Sequence, residues 1–149
     1  MSWDIRGTQV LDLFAGTGAL GIEALSRGAD YGVFIEKDAA ALSVIRRNIE
    51  ACGLQERSRI VRWDIRKNLN CLMPPRRKFD FVFMDPPYDR NLIKPALTHL
   101  HAGSHLKHAC RIVIEHTPKE PIPDDMPMFR HDDSRTYGKT MVSFLTYNP

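Results

Sequence analysis

The sequence predicts an α/β fold, a mostly parallel sheet with helices on both faces. Three observations carry this. Short runs rich in Val, Ile, Leu and Phe alternate with helical stretches along most of the chain. A glycine-rich turn joins the first such run to the first helix. The last two elements are strands in succession, which sets an antiparallel hairpin at one edge of the sheet.

Gln9 to Phe14 reads as the first strand, and Ala15-Gly16-Thr17-Gly18-Ala19-Leu20-Gly21 as the turn after it. The first helix covers Ala19 to Arg27, and Gly28 stops it. Tyr31 to Ile35 forms the second strand, ending at Glu36 and Lys37. The second helix spans about Ala39 to Ala51, with Asp38 as its cap and Gly53 as its stop. Arg59 to Trp63 is a short third strand that runs out at Asp64 and Ile65, and a helix is expected after Asp64. Phe79 to Met84 is a buried fourth strand. A helix from about Leu92 to His101 and a fifth strand, Cys110 to Glu115, follow. Pro118 to Pro127 contains four prolines and reads as a loop. Phe129 to Ser134 is a short strand, and Lys139 to Tyr147 is the last.

At 149 residues the chain is one domain, residues 1–149, large enough for a real core. It contains 43% hydrophobic and 26% charged residues, ordinary for a globular protein. No apolar run is long enough to cross a membrane, and no signal peptide is evident. Cys52, Cys71 and Cys110 are isolated and odd in number, so they read as reduced thiols in a cytoplasmic protein, without disulfides or structural zinc. His99, His101, His105 and His108 have some helical spacings, but no neighbouring cysteine or metal-binding motif, so no metal is expected. The net charge of +3 permits a nucleic acid partner without demanding one. Arg76-Arg77-Lys78 lies at the start of the fourth strand, away from the strand ends where ligands bind in such sheets. Arg57, Arg59, Arg62 and Arg66 read as surface residues.

Two segments carry chemistry. In the first, Gly16 and Gly18 let backbone approach a ligand, and the helix start offers free N–H groups. With Gly21 they satisfy G-x-G-x-x-G, the dinucleotide pattern, and Glu36 stands where a ribose-binding acid is expected. Asp12, however, places a carboxylate just before the glycines, unfavourable beside a pyrophosphate and favourable beside a cation. The second segment is Asp85-Pro86-Pro87-Tyr88 at the end of the fourth strand. Each proline fixes its own φ and constrains the residue before it. The Asp85 carboxylate and the Pro86 carbonyl form a row of acceptors beside the flat Tyr88 ring. That set suits a planar base with an amino group, the acceptors taking the N–H hydrogens and the ring stacking. S-adenosylmethionine meets both demands: it is cationic, it has ribose hydroxyls for Glu36, and its methyl can pass to an amine. Asp64 is read in two compatible ways, as an acceptor for the adenine amino group and as a helix N-cap.

Asp12-Leu13-Phe14-Ala15-Gly16-Thr17-Gly18, Glu36, Asp64 and Asp85-Pro86-Pro87-Tyr88 together resemble the Rossmann-like class I methyltransferases that modify amino groups of bases. More narrowly, Val10 to Ala29 and the tail from Tyr137-Gly138-Lys139-Thr140 to Tyr147 are similar to the RsmD family. The resemblance runs from about Gly7 to Tyr147. It implies a seven-stranded sheet with an antiparallel C-terminal strand. It implies methyl transfer to the exocyclic amine of a guanine in 16S ribosomal RNA, with ribosomal RNA or the small subunit as partner and no obligate protein partner. It implies cofactor binding by Asp12, Phe14, Ala15, Gly16, Thr17, Gly18, Glu36, Lys37, Asp64, Ile65 and Asp85, and catalysis by Asp85, Pro86, Pro87 and Tyr88. Members of that family usually carry a basic segment before the first strand. Here only Met1 to Thr8 precede it, so that segment is expected to be largely absent. Two other readings stay open: a DNA amino-methyltransferase acting on adenine or cytosine, and a nicotinamide-dependent oxidoreductase.

Overall fold

The computed structural model describes residues 4–74 and 76–149. Met1 to Trp3 of the segment before the first strand lie outside the described residues. The strands are β1 (Gln9–Leu13), β2 (Tyr31–Glu36), β3 (Ser58–Arg62), β4 (Phe79–Met84), β5 (Leu106–His116), β6 (Phe129–Tyr137) and β7 (Thr140–Tyr147). The α-helices are α1 (Ala19–Ser26), α2 (Ala39–Ala51) and α3 (Ile93–Ala102). The described residues form one seven-stranded sheet of order β3-β2-β1-β4-β5-β7-β6. β1 to β5 pair in parallel, and β7 runs antiparallel to both β5 and β6. This is the Rossmann-like α/β arrangement expected from the sequence.

Alternation along the strands divides the core between the two faces. Val10, Phe34 and Phe81 pack with Leu25 of α1 and Ile45 of α2. Leu11, Ile35 and Val82 turn the other way, into a larger cluster with Leu97 and Leu100 of α3 and Leu145 of β7. Each large side chain so buried contributes roughly 1.5–3 kcal/mol. Helix α1 packs tightly on the sheet at Gly21. A Cβ there would lie 2.4 Å from Cε1 of Phe34 and 3.1 Å from Oδ2 of Asp12. The third glycine of the pattern is therefore a packing requirement.

Three expectations are corrected. No α-helix follows Asp64; the segment forms turns and a 3-10 stretch over Asn70–Leu72. Local side chains capture the backbone there. Asp64 Oδ1 accepts the Arg66 N–H at 3.1 Å, Asn68 Oδ1 accepts the Asn70 N–H at 2.9 Å, and Trp63 Nε1 donates to the Asn68 carbonyl. These bonds compete with a helical ladder, while Ile65, Leu69 and Leu72 are buried as separate anchors. Asp64 thus closes a turn and caps no helix. Second, β5 begins at Leu106, so His108 lies in a strand. An irregularity in the pairing of β4 with β5, with Ala109 at φ +66°, hid this extension. Third, β6 continues to Tyr137, because residues 133–137 pair with β7. Among the described residues, no helix is long and apolar enough to cross a membrane, and no three His, Cys, Asp or Glu residues are grouped to hold a metal.

Candidate active site

The sheet order reverses direction between β1 and β4, and the crevice outside the strand ends at such a point is where α/β sheets bind ligands. A cleft of about 940 Å³ opens there. Its wall includes Phe14 and Gly16 after β1, Glu36 and Lys37 at the end of β2, and Asp64 and Ile65 after β3. Asp85, Pro86, Pro87 and Tyr88, following β4, complete it. Four separate strand ends therefore bring these predicted residues to one cavity.

The loop after β1 is built on unusual backbone. Phe14 has φ +58°, Gly16 +59° and Gly18 +78°. Glu36 holds the loop in place, its Oε1 accepting the Gly16 N–H at 2.9 Å. Its Oε2 accepts the N–H groups of Lys37 and Asp38 at 2.7 and 2.8 Å. One carboxylate thus joins the glycine loop to the start of α2, where Asp38 caps the helix through the Ala41 N–H.

Asp12, Ala15, Thr17 and Gly18 stand off the cleft wall. Asp12 is buried under the loop and accepts the Gly21 N–H at 3.1 Å, at the start of α1. Burial pushes its carboxyl up to about 8, the Gly21 bond opposes this, and the charges of Asp85 and Glu36 add to it. The Ala15 N–H goes to the Ile35 carbonyl, and the Gly18 N–H to the Ala15 carbonyl. Asn48 donates to the Thr17 carbonyl. These residues use their polar groups to shape the loop.

Asp64 pairs with Arg66 at 2.7 Å and lies 4.0 Å from the Lys37 ammonium. The Arg66 bond, followed by the other Arg66 and Lys37 interactions, holds its carboxyl down to about 2 despite some desolvation. Asp85 is opposite in character. Exposed to the cleft, it is pushed up to about 6 by desolvation within the concavity and by the charge of Glu115. Met84 pairs with Ile114 across the parallel strands, so Asp85 and Glu115 follow side by side. The Tyr88 hydroxyl donates to Glu115 Oε1 at 2.8 Å.

Arg62, Trp63, Arg66, Arg90 and Leu92 also line the cleft, and sequence reasoning had assigned them no role there. Arg62 and Trp63 could have been found from their place at the end of β3, next to Asp64. Arg77, by contrast, lies over the Tyr31 ring and donates to Gln9, at the opposite ends of the strands.

The chain matches, over residues 1–146, the family described as Conserved hypothetical protein 95. It is 34% identical over 140 residues to the Bacillus subtilis protein YlbH, covering 92% of this chain and 74% of that one. It is 32% identical over 148 residues to Ribosomal RNA small subunit methyltransferase D of Haemophilus influenzae, covering 96% of this chain and 72% of that one. A solved structure of a conserved hypothetical protein from Streptococcus pyogenes superposes with a TM-score of 0.86 at 31% identity, covering 96% of this chain and 88% of that one. With its sheet order, glycine loop and Asp85-Pro86-Pro87-Tyr88 turn in place, the chain belongs to this family, the RsmD family.

Proposed function

We propose that this protein transfers a methyl group from S-adenosylmethionine to the exocyclic amino group of a guanine in 16S ribosomal RNA. The observation that carries the reading is the Asp85-Pro86-Pro87-Tyr88 turn facing Glu36 across one cleft. The names of relatives such as the H. influenzae protein support the ribosomal substrate.

The cleft fits the cofactor by its donor set. In a dinucleotide site, N–H groups of the glycine loop and helix start greet a pyrophosphate. Here two of those groups are already taken by acidic side chains, Gly16 by Glu36 and Gly21 by Asp12. Lys37, Arg62, Arg66 and Arg90 balance the acids along the wall, and it is the placement of Glu36 and Asp85 that suits ribose hydroxyls and a cationic centre. Glu36 would hold the ribose, Asp64 and Ile65 the adenine, and Phe14, Gly16 and Lys37 the remaining edge. Asp12, Ala15, Thr17 and Gly18 serve by fixing the loop beneath. When bound, S-adenosylmethionine supplies an electrophilic methyl group on sulfur.

The remaining work falls to the turn after β4. A guanine amine is conjugated with its ring and is a poor nucleophile, and it is inaccessible while paired. The base is therefore flipped out and stacked on Tyr88. Asp85 and the Pro86 carbonyl accept its two N–H hydrogens, which frees the nitrogen lone pair. Asp85 then takes the proton that the methylated nitrogen sheds. The two prolines make the acceptors rigid, so orientation is set before the base arrives.

The test is transfer of labelled methyl from S-adenosylmethionine to small ribosomal subunits, naked ribosomal RNA and duplex DNA, with Asp85→Ala as control. Label on a guanine of the RNA, lost in the variant, is the expected result. Label on DNA alone would replace the substrate and keep the chemistry. Absence of cofactor binding would overturn the reading.

A further inference from the structure

We infer that Glu115 is a positioning residue for Tyr88, fixing its ring from β5 so that it stands ready as the wall on which the substrate base stacks. The inference rests on reading Asp85-Pro86-Pro87-Tyr88 as the transfer site.

Tyr88 sits on the loop after β4, is 45% exposed and lines the cleft. A tyrosine so placed would normally sample several rotamers. Here the phenol is tied at its far end. Its hydroxyl donates to Glu115 Oε1 at 2.8 Å, and the Thr140 hydroxyl of β7 lies 3.4 Å away. The bond to a carboxylate is charge-assisted and stronger than a neutral one. The next loop residue is tied as well: the Thr117 hydroxyl donates to Asp89, which has φ +58°. Glu115 and Thr117 thus hold consecutive residues of the loop.

The residue between them makes this support rigid. His116 is buried, and its Nδ1 faces the carbonyls of Thr117 and Glu120 at 3.0 and 2.8 Å. Two carbonyls can only accept, so Nδ1 carries hydrogen. In the neutral ring Nε2 then accepts from the Ser143 hydroxyl at 2.7 Å. The end of β5 is fixed to β7 and to the following loop, and it passes that fixity to Tyr88. Ordering the ring before substrate binds removes an entropic cost from the encounter. The arrangement also has an electrostatic cost, because Glu115 stands beside Asp85 and disfavours its ionised form. A carboxylate kept there despite that cost is consistent with a positioning task.

The experiment uses the full chain and four variants: Glu115→Ala, Glu115→Gln, Tyr88→Phe and the Glu115→Ala/Tyr88→Phe double. The expected result is a roughly 10-fold rise in KM for RNA in Glu115→Ala and in Tyr88→Phe, with cofactor Kd unchanged. The double variant is expected to be no worse than either single, and Glu115→Gln to recover most of the loss by keeping an acceptor. Independent losses that multiply in the double variant would overturn the inference. A second readout needs neither cofactor nor substrate. The Thr140 bond lowers the titration of the Tyr88 phenol, but the Glu115 bond, desolvation and the charges of Glu115 and Asp85 together raise it above its ordinary value. NMR of ring-labelled tyrosine, with Tyr88→Phe assigning the signal, should show the phenol titrating lower in Glu115→Ala. An unmoved titration would overturn the tie. Failure of the ribosomal RNA reading is visible separately, as absent transfer by the wild type, and the phenol titration still decides whether Glu115 holds Tyr88.

Discussion

The Glu36 carboxylate spans two loops, accepting the Gly16 N–H at 2.9 Å with one oxygen and the Lys37 and Asp38 N–H groups with the other. It therefore shapes the cleft as well as lining it. Glu36→Ala should weaken S-adenosylmethionine binding at least about tenfold, as expected for loss of a charged hydrogen-bond acceptor. Glu36→Gln, which keeps one acceptor oxygen, should fall between. Calorimetric titration measures both, and an unchanged Kd would refute the ribose assignment.

Asp85→Ala should separate binding from turnover. Removing a group that accepts from the reacting amine is expected to lower kcat about 10²-fold or more. Cofactor Kd should stay within about twofold of the wild type, because Glu36 and the glycine loop are untouched. If binding collapses with activity, Asp85 has a different role.

The raised Asp85 carboxyl gives the pH dependence its sign. The ionised form is the stronger acceptor and the form that can take the proton, so kcat/KM should be low below about 6 and rise through that value. Glu115→Gln removes the neighbouring charge and should move this acid limb to lower pH. A pH–rate profile with the limb unmoved would show that Glu115 does not act on Asp85.

Asp12 offers a test that needs no substrate. Its folded carboxyl is raised to about 8, whereas an unfolded one lies at about 4. Between those values the folded state binds the extra proton, so stability is fully present below about pH 4 and is lost as pH rises through about 8. Asp12→Asn keeps an acceptor for the Gly21 N–H and cannot ionise. Relative to wild type, its Tm should be higher at pH 8 than at pH 5, by on the order of 5 °C. Parallel pH dependences for the two proteins would contradict this.

Gly21→Ala should destabilise despite the better helix propensity of alanine. The added Cβ would meet the Phe34 ring at 2.4 Å, and overpacking of this kind costs roughly 1–3 kcal/mol. A fall in Tm of roughly 3–10 °C is expected by thermal unfolding. A stabilised variant would mean that Phe34 moves freely.

The sequence by itself determined what depends on neighbours along the chain. Strands rich in β-branched and aromatic residues, the glycine turn, the Asp38 cap and the Pro118–Pro127 loop are all visible locally, and their alternation indicates a mostly parallel sheet, while the seven-strand arrangement is what the family resemblance implies. Asp85-Pro86-Pro87-Tyr88 is legible for the same reason, since prolines constrain the chain wherever it goes. The helix expected after Asp64 failed because Asp64, Asn68 and Trp63 bond nearby backbone groups in place of a helical ladder.

Only the tertiary structure decided which groups meet across long separations. Glu120 accepts the Asn91 and Ile93 N–H groups, so the start of α3, which lacks a cap of its own, is satisfied from a loop 27 residues onward. Glu115 and Tyr88 are likewise 27 residues apart, joined only because β4 and β5 are parallel neighbours in register. Asp12, read as a group beside the ligand, is turned beneath the loop by helix α1, which burial and the Gly21 bond explain. Such pairings leave no periodicity or spacing in the chain. Register and burial create them, and both are properties of the packed sheet.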